Sequence, residues 1–426
     1  MSNSAAFHPS NRRQSTAGTL RISPWHFRLL WLLLAVGVVA FAVGVFSTAP
    51  LRAWQAYLIN FLFFTAIAQS GAVFLAILVL TRSRWGRPFQ RLAEGMVAFL
   101  PISFLLFLLL PFGRTVLFPW VTHPIPEKAL WLNFTFLVVR DGVGLLLLFA
   151  LSLALVYQSL RPQAWLLRGR VGGWAEDIYT LLTHNFRGLE MERERSRGRI
   201  GALAVGLVAV FALVFSLLAG DLVMSLSPHW YSSLFGAYNF IVALYLGLAA
   251  LAIIAVWARR AFGLQQSITA DHLHDLGKLI FAFCMVGGDF FWSQFLVIWY
   301  GNIPEETSFL IQRIHDQPWL ALSWSVLTLA FVVPFVLLLA RAPKRTPWML
   351  TSIASLIVAS LWAERYLLIV PSLMEPAEAT FGLLEVTITL GFLAAFGLVY
   401  LAFLKAFPPV DEAIAAEEAE PVPSIA

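Results

Sequence analysis

Hydrophobic residues along this chain fall into ten long blocks separated by short polar stretches. The blocks cover roughly 27 to 46, 57 to 80, 92 to 112, 130 to 158, 200 to 220, 232 to 257, 273 to 300, 318 to 340, 347 to 370 and 381 to 405. Each is long enough to cross a bilayer as a helix, for which about 20 residues at 1.5 Å each suffice. The pattern predicts an all-α integral membrane protein of about ten transmembrane helices over 27–405. A polar segment over 1–26 precedes them, and an acidic Pro/Ala-rich tail over 406–426, too polar to bury a core, follows. The first block lacks a small-residue cleavage pattern and reads as a retained span rather than a signal peptide.

The seventh block stands out because it is apolar and yet carries charge. At about 100° per residue, Asp275, Lys278, Asp289, Ser293 and Tyr300 share a narrow sector of one helix. Charges at membrane depth are costly, so the stripe is expected to face protein and not lipid. It reads either as a set of contacts that lock helix packing or as part of a proton path or quinone-site wall. Lys278 lies 11 residues from Asp289, about 16 Å along the axis, which excludes a direct pair. Any link would run through water or through neighbours such as Arg140 and Asp141. Beside Asp289, Gly287 and Gly288 leave a gap that either holds water or is filled by a neighbouring span.

Composition agrees with the block pattern. The 426 residues are 59% hydrophobic and 12% charged, with a mean hydropathy of +0.78, values that exclude a soluble domain. The 36 Phe and 16 Trp suit lipid contact and interfacial belts. Of the Lys and Arg outside the blocks or at their outermost residues, 22 lie on the side of the termini and only four, Arg52, Arg114, Lys128 and Arg313, on the other. This asymmetry predicts that both termini are cytoplasmic. The longest basic loop, about 159–199, ends in the mixed-charge run GLEMERERSRGR, expected as a short interfacial helix with a solvated face.

The candidate chemistry is sparse. Arg140 and Asp141 are adjacent in the fourth block, point about 100° apart, and require at least one contact with a neighbouring helix. Glu364 and Arg365 repeat the arrangement in the outer half of the ninth, and Glu385 lies about two turns into the tenth. Asp221 closes the fifth at its outer boundary, where Pro228, His229 and Trp230 read as an interfacial turn. Each reads equally well as an interhelical salt bridge. Together they favour a transported or reacting species, a proton or a quinol. The eight His all lie in loops or at block edges, so the chain is expected to hold no b-type haem. The single Cys284 excludes an intrachain disulfide, a Cys-liganded cluster and a CxxCH haem site. Zincin, P-loop and dinucleotide-binding motifs are absent, and no metal site is expected.

Four segments carry a resemblance: DLVMSLSPHWYSSLFGAYNF, HDLGKLIFAF with SQFLVIWYGNIPEET, the Arg140–Asp141 pair and AERYLLIVPSL. They closely resemble the NrfD/polysulfide-reductase family of membrane subunits, and within it the ActF-type subunits of bacterial alternative complex III, over nearly all ten spans. The resemblance implies two four-helix bundles plus two peripheral helices, in a subunit of the bacterial cytoplasmic membrane with no cofactor of its own. Its implied partners are a homologous quinol-binding NrfD-type subunit and iron–sulfur and c-type haem subunits. Such a complex oxidises quinol and passes electrons to a periplasmic carrier such as cytochrome c, and the ActF-type subunit is proposed to supply a proton path. The residues assigned to that path are Arg140, Asp141, Asp275, Lys278, Asp289, Ser293, Glu364, Arg365 and Glu385. The chain departs from the family where Gly287, Gly288 and Asp289 replace an expected Trp-x-Tyr segment. Two other readings stay open: a direct quinone-binding NrfD-type anchor, and a secondary transporter, hinted at by Gly287–Gly288 and Pro334.

Overall fold

A computed structural model describes residues 24–47, 49–167, 174–185, 189–374 and 381–409. Ten helices in it are long and apolar enough to cross a membrane. They are α1 (Pro24–Phe46), α2 (Pro50–Leu80), α3 (Arg87–Phe107), α4 (Phe134–Leu167), α5 (Leu189–Leu222), α6 (Phe235–Ala261), α7 (Ala270–Gly301), α8 (Trp319–Leu339), α9 (Pro347–Ile369) and α10 (Leu383–Ala406). The described residues contain no strand. Backbone polar groups in hydrocarbon must be satisfied within their own segment, and a helix does this. The chain is therefore an all-α, multi-pass membrane protein.

Packing sorts the helices into the expected groups. Helices α2 to α5 form one four-helix bundle and α6 to α9 a second, joined along α2, α5 and α6, while α1 and α10 pack on each other against α2. The centre belongs to α2: 83% of its most apolar window is buried, against 17% for α7. The seventh block, chemically the most distinctive in the sequence, is thus a peripheral helix. The mixed-charge run also differs from expectation. It is no separate interfacial helix, since α5 starts at Leu189 and continues without a break into the span. The tail beyond residue 409 and the segment before residue 24 lie outside the described residues.

Proline explains the π-helical turn in α8. In α8 a π-helical turn at Thr328–Val332 runs into Pro334, which has no N–H to offer the carbonyl four residues back. That carbonyl, of Ala330, instead accepts from the Tyr245 hydroxyl at 2.8 Å. The gap at Gly288 is filled by the same span: a Cβ there would meet the Phe331 ring at 2.2 Å. Of the two outcomes open at Gly287–Gly288, the neighbouring span has taken the space.

Gly37 of α1 and Gly391 of α10 let two backbones touch, for a Cβ on Gly37 would lie 2.5 Å from the Gly391 Cα. Small residues at such a crossing are the usual basis of helix association in lipid. Gly37→Leu is therefore expected to detach α1 from α10. Disulfide cross-linking between cysteines placed on the two helices checks this, and unchanged cross-linking would show the contact to be dispensable.

Candidate functional site

The charges of α4 meet α5. Arg140 Nε donates to Asp221 Oδ2 at 2.8 Å and Nη2 to Oδ1 at 2.6 Å, a bidentate pair. The guanidinium is packed between aromatic faces, 3.8 Å from the Trp131 ring centroid and 4.4 Å from that of Phe136. The Trp131 indole N–H also donates to Asp221 Oδ1 at 3.1 Å. Asp221, read from sequence as a boundary residue, is 0% exposed. Asp141 is buried too, with its carboxyl in contact with that of Asp221 and no donor on either oxygen. Two carboxylates both accept, so this contact is a hydrogen bond only with a proton between them.

On the second bundle, Glu364 accepts a short hydrogen bond from the Tyr238 hydroxyl. Arg365, 2% exposed, makes no hydrogen bond or ion pair among the described residues and has a buried Nη1 without a partner. It lines a cavity of about 10 Å³ with Thr65, Phe215, Leu218 and Asn239. That volume takes a single water and not a quinone ring. Leu218 stands one turn from Asp221 on α5, so the cavity lies next to the Arg140 cluster.

Further polar groups continue toward the Arg-rich end of the bundle. Gln69, buried on α2, donates to Ser152 of α4 at 3.0 Å. Glu94 of α3, 1% exposed, accepts from Ser159 at 2.5 Å and from Arg91 at 2.5 Å, and Gln90 donates to Ser159 at 2.7 Å. On α4, Asp141, Ser152 and Ser159 point within about 20° of one another and span about 27 Å along the axis. One face of α4 therefore carries a polar group at each of three depths, each met by a polar partner from α2, α3 or α5. Between Ser152 and Ser159 this face is apolar for about 10 Å, where Leu155 and Val156 are buried.

The remaining sequence-assigned residues lie elsewhere. The α7 stripe faces outward, not into this chain's interior: Lys278, Asp289 and Tyr300 are exposed, and Asp275 and Ser293 half-buried. Helical periodicity assigns these residues to one face, but the contacts that orient α7 lie on its opposite side, through Leu276, Ile280 and Cys284. Lys278 pairs with Asp275 at 2.6 Å, whereas Asp289 has no hydrogen bond or ion pair and sits in the other bundle from Arg140 and Asp141. Glu385 lies in the first turn of α10, not two turns in. It is held there by a bidentate pair with Arg52 at 2.9 Å and by the Gly382 N–H at 2.8 Å, which is a cap and an interhelical clamp. His229 is exposed, but Trp230 is no lipid anchor: it is 3% exposed and stacks on Phe309 at 3.8 Å.

Sequence reasoning missed Glu94, Gln69, Tyr238 and Arg313. The Arg91-x-x-Glu94 spacing at the start of the third block was a usable signal, because i,i+3 charges pair on one helix face. Neutral polar residues such as Gln69 give no comparable signal. Arg313, on the short helix Pro304–Ile314 outside the spans, donates to the Leu367 and Leu368 carbonyls at the end of α9 and to Ser372. Burial pulls its guanidinium down to about 9, which leaves it charged at neutral pH.

The described residues hold no group of three or more His, Cys, Asp or Glu able to bind a metal ion. No family model matches the chain, and no curated protein does. Fold and site together define a ten-helix, multi-pass membrane protein with buried polar groups at three depths of one bundle.

Proposed function

We propose that this chain is a membrane subunit of a quinol-oxidising complex of the kind it resembles, and that its buried polar residues carry protons. In this reading it is an ActF-type subunit without a cofactor of its own. It stands beside a quinol-binding NrfD-type subunit and iron–sulfur and c-type haem subunits in a bacterial cytoplasmic membrane. The observation that carries the proton reading is the face of α4, where Asp141, Ser152 and Ser159 each meet a polar partner. Buried ionisable groups are costly in a membrane and mark proton and ion routes. Glu94 forms the end near the Arg-rich loops and the Asp141–Asp221 pair the opposite end, with the Arg365 cavity providing room for a water beside it. Transient water must bridge two apolar stretches, about 16 Å between Asp141 and Ser152, where Leu145, Leu148 and Phe149 are buried, and about 10 Å between Ser152 and Ser159.

The cavity beside Arg365 admits a water and no quinone ring, so it suits a proton route and is not itself a quinone pocket. The transporter reading gains little from the break in α8, whose freed carbonyl is taken up by Tyr245 and does not face a midplane site. Two measurements test the proposal. The tagged chain, purified from native membranes, should bring haem and iron–sulfur subunits with it; a chain that purifies without them sinks the complex. Within the assembled complex, Glu94→Gln keeps an acceptor for the Ser159 hydroxyl but removes the carboxylate that could relay a proton. Proton uptake linked to turnover is expected to fall about tenfold or more at unchanged haem content, and unchanged uptake sinks the path.

A further inference from the structure

Two peripheral helices show most of their surface to the outside, and they differ in chemistry. The outward face of α1 is apolar, with Trp31, Leu32, Val39 and Val43 each about 60% exposed, as a lipid-facing helix should be. The outward face of α7 is not. Asp289 is exposed about halfway between Lys278 and the end of the helix at Gly301, with neither a hydrogen bond nor an ion pair, and Met285, Trp292 and Tyr300 share its sector at 41%, 55% and 84% exposure. A carboxylate facing hydrocarbon at that depth is costly and asks for a partner.

We infer that this face of α7 is the docking surface for a membrane helix of a different subunit, one that presents a lysine or arginine to Asp289. A second copy of this chain does not fit. Copies in one membrane share orientation, so a two-fold contact brings like residues together at equal depth, and Asp289 would meet Asp289. The cation of Lys278 lies about 16 Å away along the axis and is already held by Asp275. A foreign cation at the depth of Asp289 removes the cost, and the aromatic rings beside it supply the large, rigid contact area typical of interface centres. Failure of the proton-uptake test would leave this interface standing, because it rests on the exposed carboxylate alone.

The test places a photo-cross-linking amino acid at Met285 in the full chain in native membranes, with Val39 on α1 as the control position. The expected adduct at position 285 is with another integral membrane protein. Its cross-linked peptide lies in an apolar span that contains a Lys or Arg. The adduct should fall about tenfold or more with Asp289→Arg, since like charges would then face each other across the interface, and more mildly with the near-isosteric Asp289→Asn, which guards against misfolding. Exchanging the partner's mapped cation for Asp should restore it in the Asp289→Arg background. Adducts with this chain itself, adducts with lipid only, or an adduct indifferent to both Asp289 variants would overturn the assignment.

Discussion

Asp221→Leu is expected to destabilise the protein by about 3–5 kcal/mol, the cost of leaving a buried guanidinium without its counter-charge. Arg140 has 10% of its side chain exposed and Asp221 none, so water cannot replace the lost partner. The aromatic rings of Trp131 and Phe136 hold the guanidinium where it is and prevent it from swinging toward solvent. Removing both charges should hurt less than removing one: Arg140→Leu combined with Asp221→Leu is expected to recover a large part of the loss, because no uncompensated cation remains. Unfolding of the purified chain in mixed micelles, titrated with a denaturing detergent, measures the four corners of this cycle. A coupling below about 0.5 kcal/mol, near the average for polar contacts between membrane helices, would show the pair to be incidental to stability.

How much of this was legible in the sequence depends on the kind of signal. The ten spans were, because a block of about 20 apolar residues has few structural outcomes. Helix ends were less so: α4 runs on to Leu167 and α5 begins at Leu189, since polar residues that leave the bilayer can extend a helix at no cost in hydrophobicity. Which span forms the centre was not legible either. Helix α2 carries Asn60, Thr65 and Gln69, and these amides and hydroxyls bind neighbours on α10, α3 and α4 in turn. A charge inventory passes over such residues, although neutral polar side chains are what a buried membrane helix can most cheaply carry.

The site was legible residue by residue but not in its connections. Arg140, Asp141 and Asp221 were all recognisable as charges at or near membrane depth, yet only the packing of α4 on α5 shows that the guanidinium pairs with Asp221 while Asp141 is left without a donor. The periodicity of α7 gathered Asp275, Lys278 and Asp289 on one face, correctly, but could not say which way the face turns. That direction is set by Leu276, Ile280 and Cys284 on the other side, and in a single subunit a polar face can point at a partner as readily as at its own core. The opposite failure occurred at Glu94, whose Arg91 partner three residues earlier marked it as paired, but whose position at a block edge hid its burial.

Asp141→Asn is expected to leave stability within about 1 kcal/mol of the parent while abolishing most of the proton transfer. The cluster holds one guanidinium and two carboxyls in contact, with no donor on either oxygen of Asp141. Such a buried trio is neutral when the carboxyls share one proton, and that shared proton turns the contact between two acceptors into a hydrogen bond. An asparagine amide reproduces the donor toward Asp221 in nearly the same shape, so a purely structural role survives the change at the net worth of an ordinary hydrogen bond. It has no proton to release. Turnover-linked proton uptake in reconstituted vesicles should therefore fall about tenfold or more, whereas Asp221→Leu lowers the amount of folded protein first. The shared proton can also be read without turnover, as the infrared carbonyl stretch of a protonated carboxylic acid that is present in the parent and lost in Asp141→Asn. A folded Asp141→Asn protein with undiminished uptake would reduce Asp141 to a packing residue, and a parent spectrum without that band would remove the proton from the pair.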